Sequence, residues 1–258
     1  MENNIFFLIS ILTLLNFLLF PIILKFFVYF KFYDTPVKGL KLHKFNVPYA
    51  GGTIIYLNFL IVFFSTYNFL DIQFLISKKE LTNIFIFSSL IYFLGLIDDI
   101  VKLNSNLRLI TLSIFIFIFL FFNNEYLISQ ILLSFHETKI EVGRYSIFLT
   151  TLCFLLFVQA FNMLDGINLQ AGLYALFLFI FSVVISNNIF IFLTVPIVFF
   201  LFLNYKNKIF LGDSGTYLLS FLIGCIYIKI FNYNFLYTDE IFLIMSIPGY
   251  DMLRLFLS

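Results

Sequence analysis

Ile5-Phe-Phe-Leu-Ile-Ser-Ile-Leu-Thr-Leu-Leu-Asn-Phe-Leu-Leu-Phe-Pro-Ile-Ile-Leu24 carries no charge from end to end. At 1.5 Å per residue such a helix is about 30 Å long, the thickness of a bilayer's hydrocarbon core. Glu2 stands where a signal peptide would have basic residues, and no small-residue cleavage site precedes Lys25. The run therefore reads as a retained first span.

The rest of the chain repeats this character. Of its 258 residues 62% are hydrophobic and 11% charged, with a mean hydropathy of +1.06, against about 45–50% and 25% for a soluble domain. The expected fold is all-α, a single polytopic membrane domain over residues 1–258. Fifteen basic side chains face fourteen acidic ones, so no basic excess points to nucleic acid. Cys153 and Cys225 lie inside apolar runs and support neither a disulfide framework nor a zinc site.

Cutting at the polar clusters predicts nine spans: 5–30, 51–70, 81–98, 107–123, 146–163, 168–187, 188–204, 214–232 and 239–256. The stretch from Asn124 to Tyr145 is too polar and broken to cross, and reads as a loop with a short apolar piece, Leu127 to Phe135. Polar clusters follow spans one, three, five and seven, so they share one side. That side carries Lys25, Lys31, Lys38, Lys41, Lys44, Lys102, Arg108, Lys206, Lys208 and Arg254, whereas Lys78, Lys79, Lys139, Arg144 and Lys229 fall opposite. The positive-inside bias then makes the cluster side cytoplasmic and the N-terminus external.

Each cluster has a chemistry. Between Asp34 and Gly52, Lys38, Lys41 and Lys44 recur around His43, a cation density suited to phosphate and equally to anionic lipid at a membrane surface. Asp98 and Asp99 end a span before Lys102 and Arg108. Carboxylates at membrane depth cost at least about 2.5 kcal/mol each, so the pair implies a polar cavity or a cation unless it is solvated at the interface. Neighbouring helical residues point about 100° apart, so one aspartate is expected to act and the other to orient it. Asn162-Met-Leu-Asp-Gly-Ile-Asn168 sets Asn162 and Asp165 on one helical face, to bind a base or a metal-bound water, or to cap the helix end. Phe210-Leu-Gly-Asp-Ser-Gly-Thr216 opens a long apolar helix; its free N–H groups favour an anion, and Asp213 is either a hard oxygen ligand for Mg²⁺ or an N-cap.

These four clusters resemble the polyprenyl-phosphate N-acetylhexosamine-1-phosphate transferases, glycosyltransferase family 4. The resemblance runs from Asp34 to Arg254. It rests on Pro36, Lys38, Lys41, His43, Pro48, Gly51 and Gly52, on Asp98, Asp99 and Arg108, on Asn162, Asp165, Gly166 and Asn168, on Gly212, Asp213 and Gly215, and on Asn204 at a loop start. It implies a multi-pass protein of the bacterial inner membrane. A polyprenyl phosphate such as undecaprenyl phosphate would attack the β-phosphorus of a UDP-N-acetyl-sugar and release UMP.

By the same resemblance, Asp98, Asp99 and Asp213 are the catalytic candidates. Mg²⁺, or Mn²⁺ in its place, would be held by Asp213 with Asn162. Arg108 would support the aspartates, Asn162, Asp165, Asn168 and Asn204 would shape the nucleotide side, and Lys38, Lys41 and His43 would meet phosphates. A homodimer is left open. The run Asp165 to Gln170 and short external loops favour N-acetylglucosamine-type enzymes over phospho-N-acetylmuramoyl-pentapeptide transferase. An ion-coupled transporter and a membrane scaffold are the rival classes.

Two departures stand out. Leu169 occupies a place where the family often has Gly, a change expected to tune packing without removing a ligand. Family members also continue past Pro248 to Arg254 into a loop bearing His-x-His-His, whereas this chain holds only His43 and His136, and is expected to be a fragment, with a truncated, inactive protein as the alternative.

Overall fold

A computed structural model describes residues 2–35, 45–68, 76–186 and 188–257. The architecture is helical: α1 (Glu2–Tyr29), α2 (Gly51–Asn68), α3 (Lys78–Val101), α4 (Ser105–Phe122), α5 (Ser146–Leu164), α6 (Gln170–Ser186), α7 (Thr194–Tyr205), α8 (Gly212–Asn232) and α9 (Thr238–Leu257). Among the described residues five stretches, Phe7–Tyr29, Lys78–Val101, Ser105–Phe122, Gly143–Leu164 and Gly212–Asn232, are long and apolar enough to cross a bilayer. The α2, α6 and α7 regions are apolar but shorter, and α9 carries Asp239, Glu240, Asp251 and Arg254. The helices follow the nine expected segments, and five of them satisfy the length and apolarity of a span.

The chain wraps around α8. From Ser214 to Phe231 every residue of this helix is buried, against α2, α3, α5 and α6. A helix apolar on all sides belongs either in a core or in lipid, and α8 takes the core. The outer helices instead turn Phe17, Ile22, Phe121, Leu156, Val184 and Leu243 outward, the surface lipid solvates.

Specific contacts fix the helix pairs. Asn16 on α1 and Asn58 on α2 exchange amide hydrogen bonds at 3.2 and 2.8 Å, both buried. Such polar clamps hold membrane helices together where lipid is as apolar as leucine. Between α2 and α3, Tyr56 stacks on Tyr92 and Phe63 on Phe85, each with ring centroids 4.0 Å apart. The start of α3 is a capping box: Ser77 Oγ accepts from the Glu80 N–H, and Glu80 accepts from the Ser77 N–H.

The 124–145 segment differs from the expected loop. It forms a 3₁₀ turn (Asn124–Tyr126), two strands, Gln130–Leu133 and His136–Glu141, paired antiparallel, and a second turn (Gly143–Tyr145). The apolar piece is too short to cross a membrane but long enough to pair. The hairpin is pinned by Leu132 N–H donating to Thr238 Oγ1 and Ser134 N–H donating to Asp239 Oδ1, at 3.0 and 2.9 Å. A second ribbon, Tyr33–Asp34 with Val47–Pro48, closes the ends of the first polar loop.

Candidate active site

The ends of α3, α5 and α7 and the start of α8 meet at one end of the bundle. Backbone pairing sets their register. Phe210 N–H donates to the Pro48 carbonyl, and the Gly51 and Gly52 N–H groups donate to the Phe210 and Leu211 carbonyls, at 2.9, 2.9 and 3.0 Å. This tight seam needs Gly52, because a Cβ there would sit 2.4 Å from the Gly215 nitrogen. Gly212 follows at φ +74, a left-handed turn that glycine enters freely, and α8 begins.

Asp98 and Asp99 diverge as their helical spacing requires. Asp99 accepts from the Asp213 N–H at 2.8 Å and the Ser214 N–H at 3.1 Å. These two leading N–H groups of α8, expected to await a bound anion, are thus occupied by the protein's own carboxylate. Asp98 accepts from the Leu103 N–H at 2.8 Å and from Arg108 Nη1 at 2.7 Å. Arg108 also lies 3.7 Å from Asp213 Oδ2, so it bridges two carboxylates.

Asp213 does not cap α8 through its side chain. Its carboxyl instead reaches the Asp98 and Asn162 side chains. Its side chain is 28% exposed while that of Asp98 is 3% exposed, which makes Asp213 the accessible acid of the pair. Among the described residues, no hydrogen-bond partner within ordinary geometry meets the nearby buried Tyr217 and Ser214 hydroxyls.

Asp165 lies one residue beyond α5, its N–H bonded to the Asn162 carbonyl at 3.2 Å. Withdrawal from water, reinforced by the charges of Asp213 and Asp99, pushes its carboxyl well above the usual range. The two remaining asparagines act on loops. Asn204, buried, accepts from the Leu169 N–H at 2.7 Å and donates to the Ile209 carbonyl at 2.9 Å. Asn168 bonds Asn207 through its side-chain amide. Together they tie the loop after α5 to the loop after α7, and both groups of the Asn204 amide are spent on backbone. Leu169 sits at φ +71, so the residue in the place of an expected Gly adopts the conformation in which glycine is favoured.

Lys38, Lys41 and His43, with Pro36, lie outside the described residues. Their loop leaves and returns through the Tyr33–Asp34 and Val47–Pro48 ribbon, beside a cavity of about 220 Å³ lined by Lys31, Asp34, Tyr49, Asp99 and Lys102 among others. Tyr49 donates to Asp34 Oδ1 at 2.8 Å; burial and that carboxylate hold its phenol well above its ordinary range. The Lys102 ammonium lies 5.7 Å from the Tyr49 ring centre. Sequence reading gave Lys31, Lys102 and Tyr49 no role in the site. Lys102 stands within the aspartate cluster, which was the available signal.

Among the described residues no three His, Cys, Asp or Glu side chains form a metal cage. Mg²⁺ does not require one. It takes one or two carboxylates and completes its shell with phosphate oxygens and water. Asp213 with the Asn162 amide beside it fits that donor set, and the Ser214 and Tyr217 hydroxyls fit a polar ligand.

A family model, described as glycosyl transferase family 4, matches residues 81–231. The chain belongs to glycosyl transferase family 4. The match runs from the first turn of α3 almost to the end of α8 and includes Asp98, Asp99, Arg108, Asn162, Asp165, Asn168, Asn204 and Asp213. Comparison with curated proteins finds no match. As a family 4 chain with five helices able to span a bilayer, it is a membrane transferase.

Proposed function

We propose that this family 4 transferase moves an N-acetylhexosamine 1-phosphate from a UDP-sugar onto undecaprenyl phosphate and releases UMP. The observation that carries the reading is the meeting of Asp98, Arg108, Asn162 and Asp213 at one end of a lipid-facing bundle. An oxygen of the lipid phosphate attacks the β-phosphorus, a new P–O bond forms, and the P–O bond to the UMP phosphate breaks. Such a reaction depends on positioning and charge neutralisation.

Arg108 is placed to meet phosphate oxygens while Asp98 fixes its guanidinium. Asp98, with both oxygens already accepting hydrogen bonds, orients rather than removes a proton. Asp213, with Asn162 beside it, would hold Mg²⁺ or Mn²⁺, which when bound would supply positive charge against the diphosphate and the departing UMP. Asp165 shapes the nucleotide side. The apolar outer faces suit the prenyl tail, and the cavity with Lys31 and Lys102 suits phosphate. N-acetylglucosamine is the favoured sugar, with phospho-N-acetylmuramoyl-pentapeptide as the alternative, and the aspartate end is assigned to the cytoplasm.

An ion-coupled transporter is disfavoured. From Ser214 to Ile228 the central helix has no carboxylate or basic side chain, so α8 itself offers no charged path inward from Asp213. The test is UMP release from UDP-N-acetylglucosamine by protein in detergent with undecaprenyl phosphate. Release that needs both lipid and divalent cation supports the reading. A folded protein that releases no UMP from any UDP-N-acetyl-sugar overturns it.

A further inference from the structure

At the opposite end of α8 a second polar site opens, unrelated to the aspartates. Lys229 is sixteen residues beyond Asp213, about 24 Å along the helix axis. Its side chain, 3% exposed, pairs with Glu80 and, at 2.6 Å, with Glu125. It forms one wall of an open cavity of about 700 Å³ between the hairpin's approach and the start of α5. Glu125, Ser129 and Arg144 supply other polar groups, and Leu127 and Ile147 supply apolar wall.

Charge on that wall is unevenly matched. Lys229 is satisfied by its two glutamates. Arg144 is exposed, and among the described residues no carboxylate pairs with it. It stands in the turn that leads into α5, one of the spanning stretches, the height at which headgroups lie. A guanidinium presents a fork that matches phosphate oxygens, and Ser129, Leu127 and Ile147 line the same cavity.

We propose that this cavity seats the phosphate of an anionic ligand, with Arg144 as its cation, on the membrane face opposite the aspartate cluster. The phosphate is carried either by a lipid headgroup or by a free anion, and two probes separate these sources. The purified chain, with the exposed Cys153 replaced (Cys153→Ser) in every variant, is titrated in neutral detergent with dioleoylphosphatidylglycerol or with inorganic phosphate, following the unfolding midpoint through exposure of the buried Cys225 to a thiol-reactive dye. Native mass spectrometry counts retained lipid.

The expected result is a saturable rise in midpoint that Arg144→Gln shifts to about tenfold higher ligand concentration. Arg144→Lys, which keeps the charge but loses the fork, should fall between. An Arg144-dependent response to phosphatidylglycerol alone assigns the lipid, and the same response to inorganic phosphate assigns the free anion. Wild type and Arg144→Gln responding alike to both probes overturns the proposal. If Arg144→Gln does not fold, equality of Arg144→Lys with wild type does so instead.

Discussion

Asp98 and Asp99 are neighbours in sequence, yet each serves a different partner, and Asp213 is the carboxylate left accessible between them. Replacing Asp213 with Asn should keep the fold, because its backbone N–H still reaches Asp99, while UMP release falls by about 10²–10³-fold. Steady-state assays at saturating lipid, alongside circular dichroism, check this. Asn204→Ala is expected to behave differently. It leaves the Leu169 N–H and the Ile209 carbonyl without their buried partner, a cost of about 2–4 kcal/mol for the two groups together. A lower unfolding midpoint should therefore accompany any loss of activity. An Asn204→Ala variant with wild-type stability and only a raised KM would make Asn204 a substrate contact instead of a loop clamp.

At the level of elements, the site depends on how α8 is started. Asp99 closes the exposed amides of Asp213 and Ser214, so Asp99→Ala should destabilise by about 1–2 kcal/mol. It should also slow UMP release, since an error of 1 Å in placing a reacting group costs about 10²-fold. Thermal unfolding and turnover measured on one preparation test both. The sequence pattern made the two aspartates visible, because carboxylates at the end of an apolar run are costly. It set the two to different tasks but did not show the partner of Asp99, because that depends on where the α8 amides arrive, more than a hundred residues later in the chain. Asn168 and Asn204 were visible through the family resemblance, and their use as loop ties was not. The hairpin after α4 escaped because its apolar strand is short and its partner, His136–Glu141, is polar. Helices, by contrast, were legible almost throughout, since twenty uncharged residues leave the backbone few other ways to satisfy itself in lipid.

On the scale of the whole molecule, α8 joins two charged ends through an apolar middle. Lys229→Met should cost about 3–5 kcal/mol, because buried Glu80 loses the cation that offsets it. Adding Glu80→Gln to Lys229→Met should recover most of that loss. Thermal unfolding of the single and double variants checks the coupling, and full recovery of turnover below the unfolding temperature would show that the two ends work independently.

The bond from Asp99 to the start of α8 also spans time. Asp99 and the Asp213 amide lie 114 residues apart, and ribosomes add roughly 5–20 residues per second. For about 6–23 s of biosynthesis, α3 waits with its acids before α8 exists to receive them. A nascent chain arrested before Gly212 should thus show Asp99 open to solvent-borne carboxyl reagents, and release of the arrest should close it.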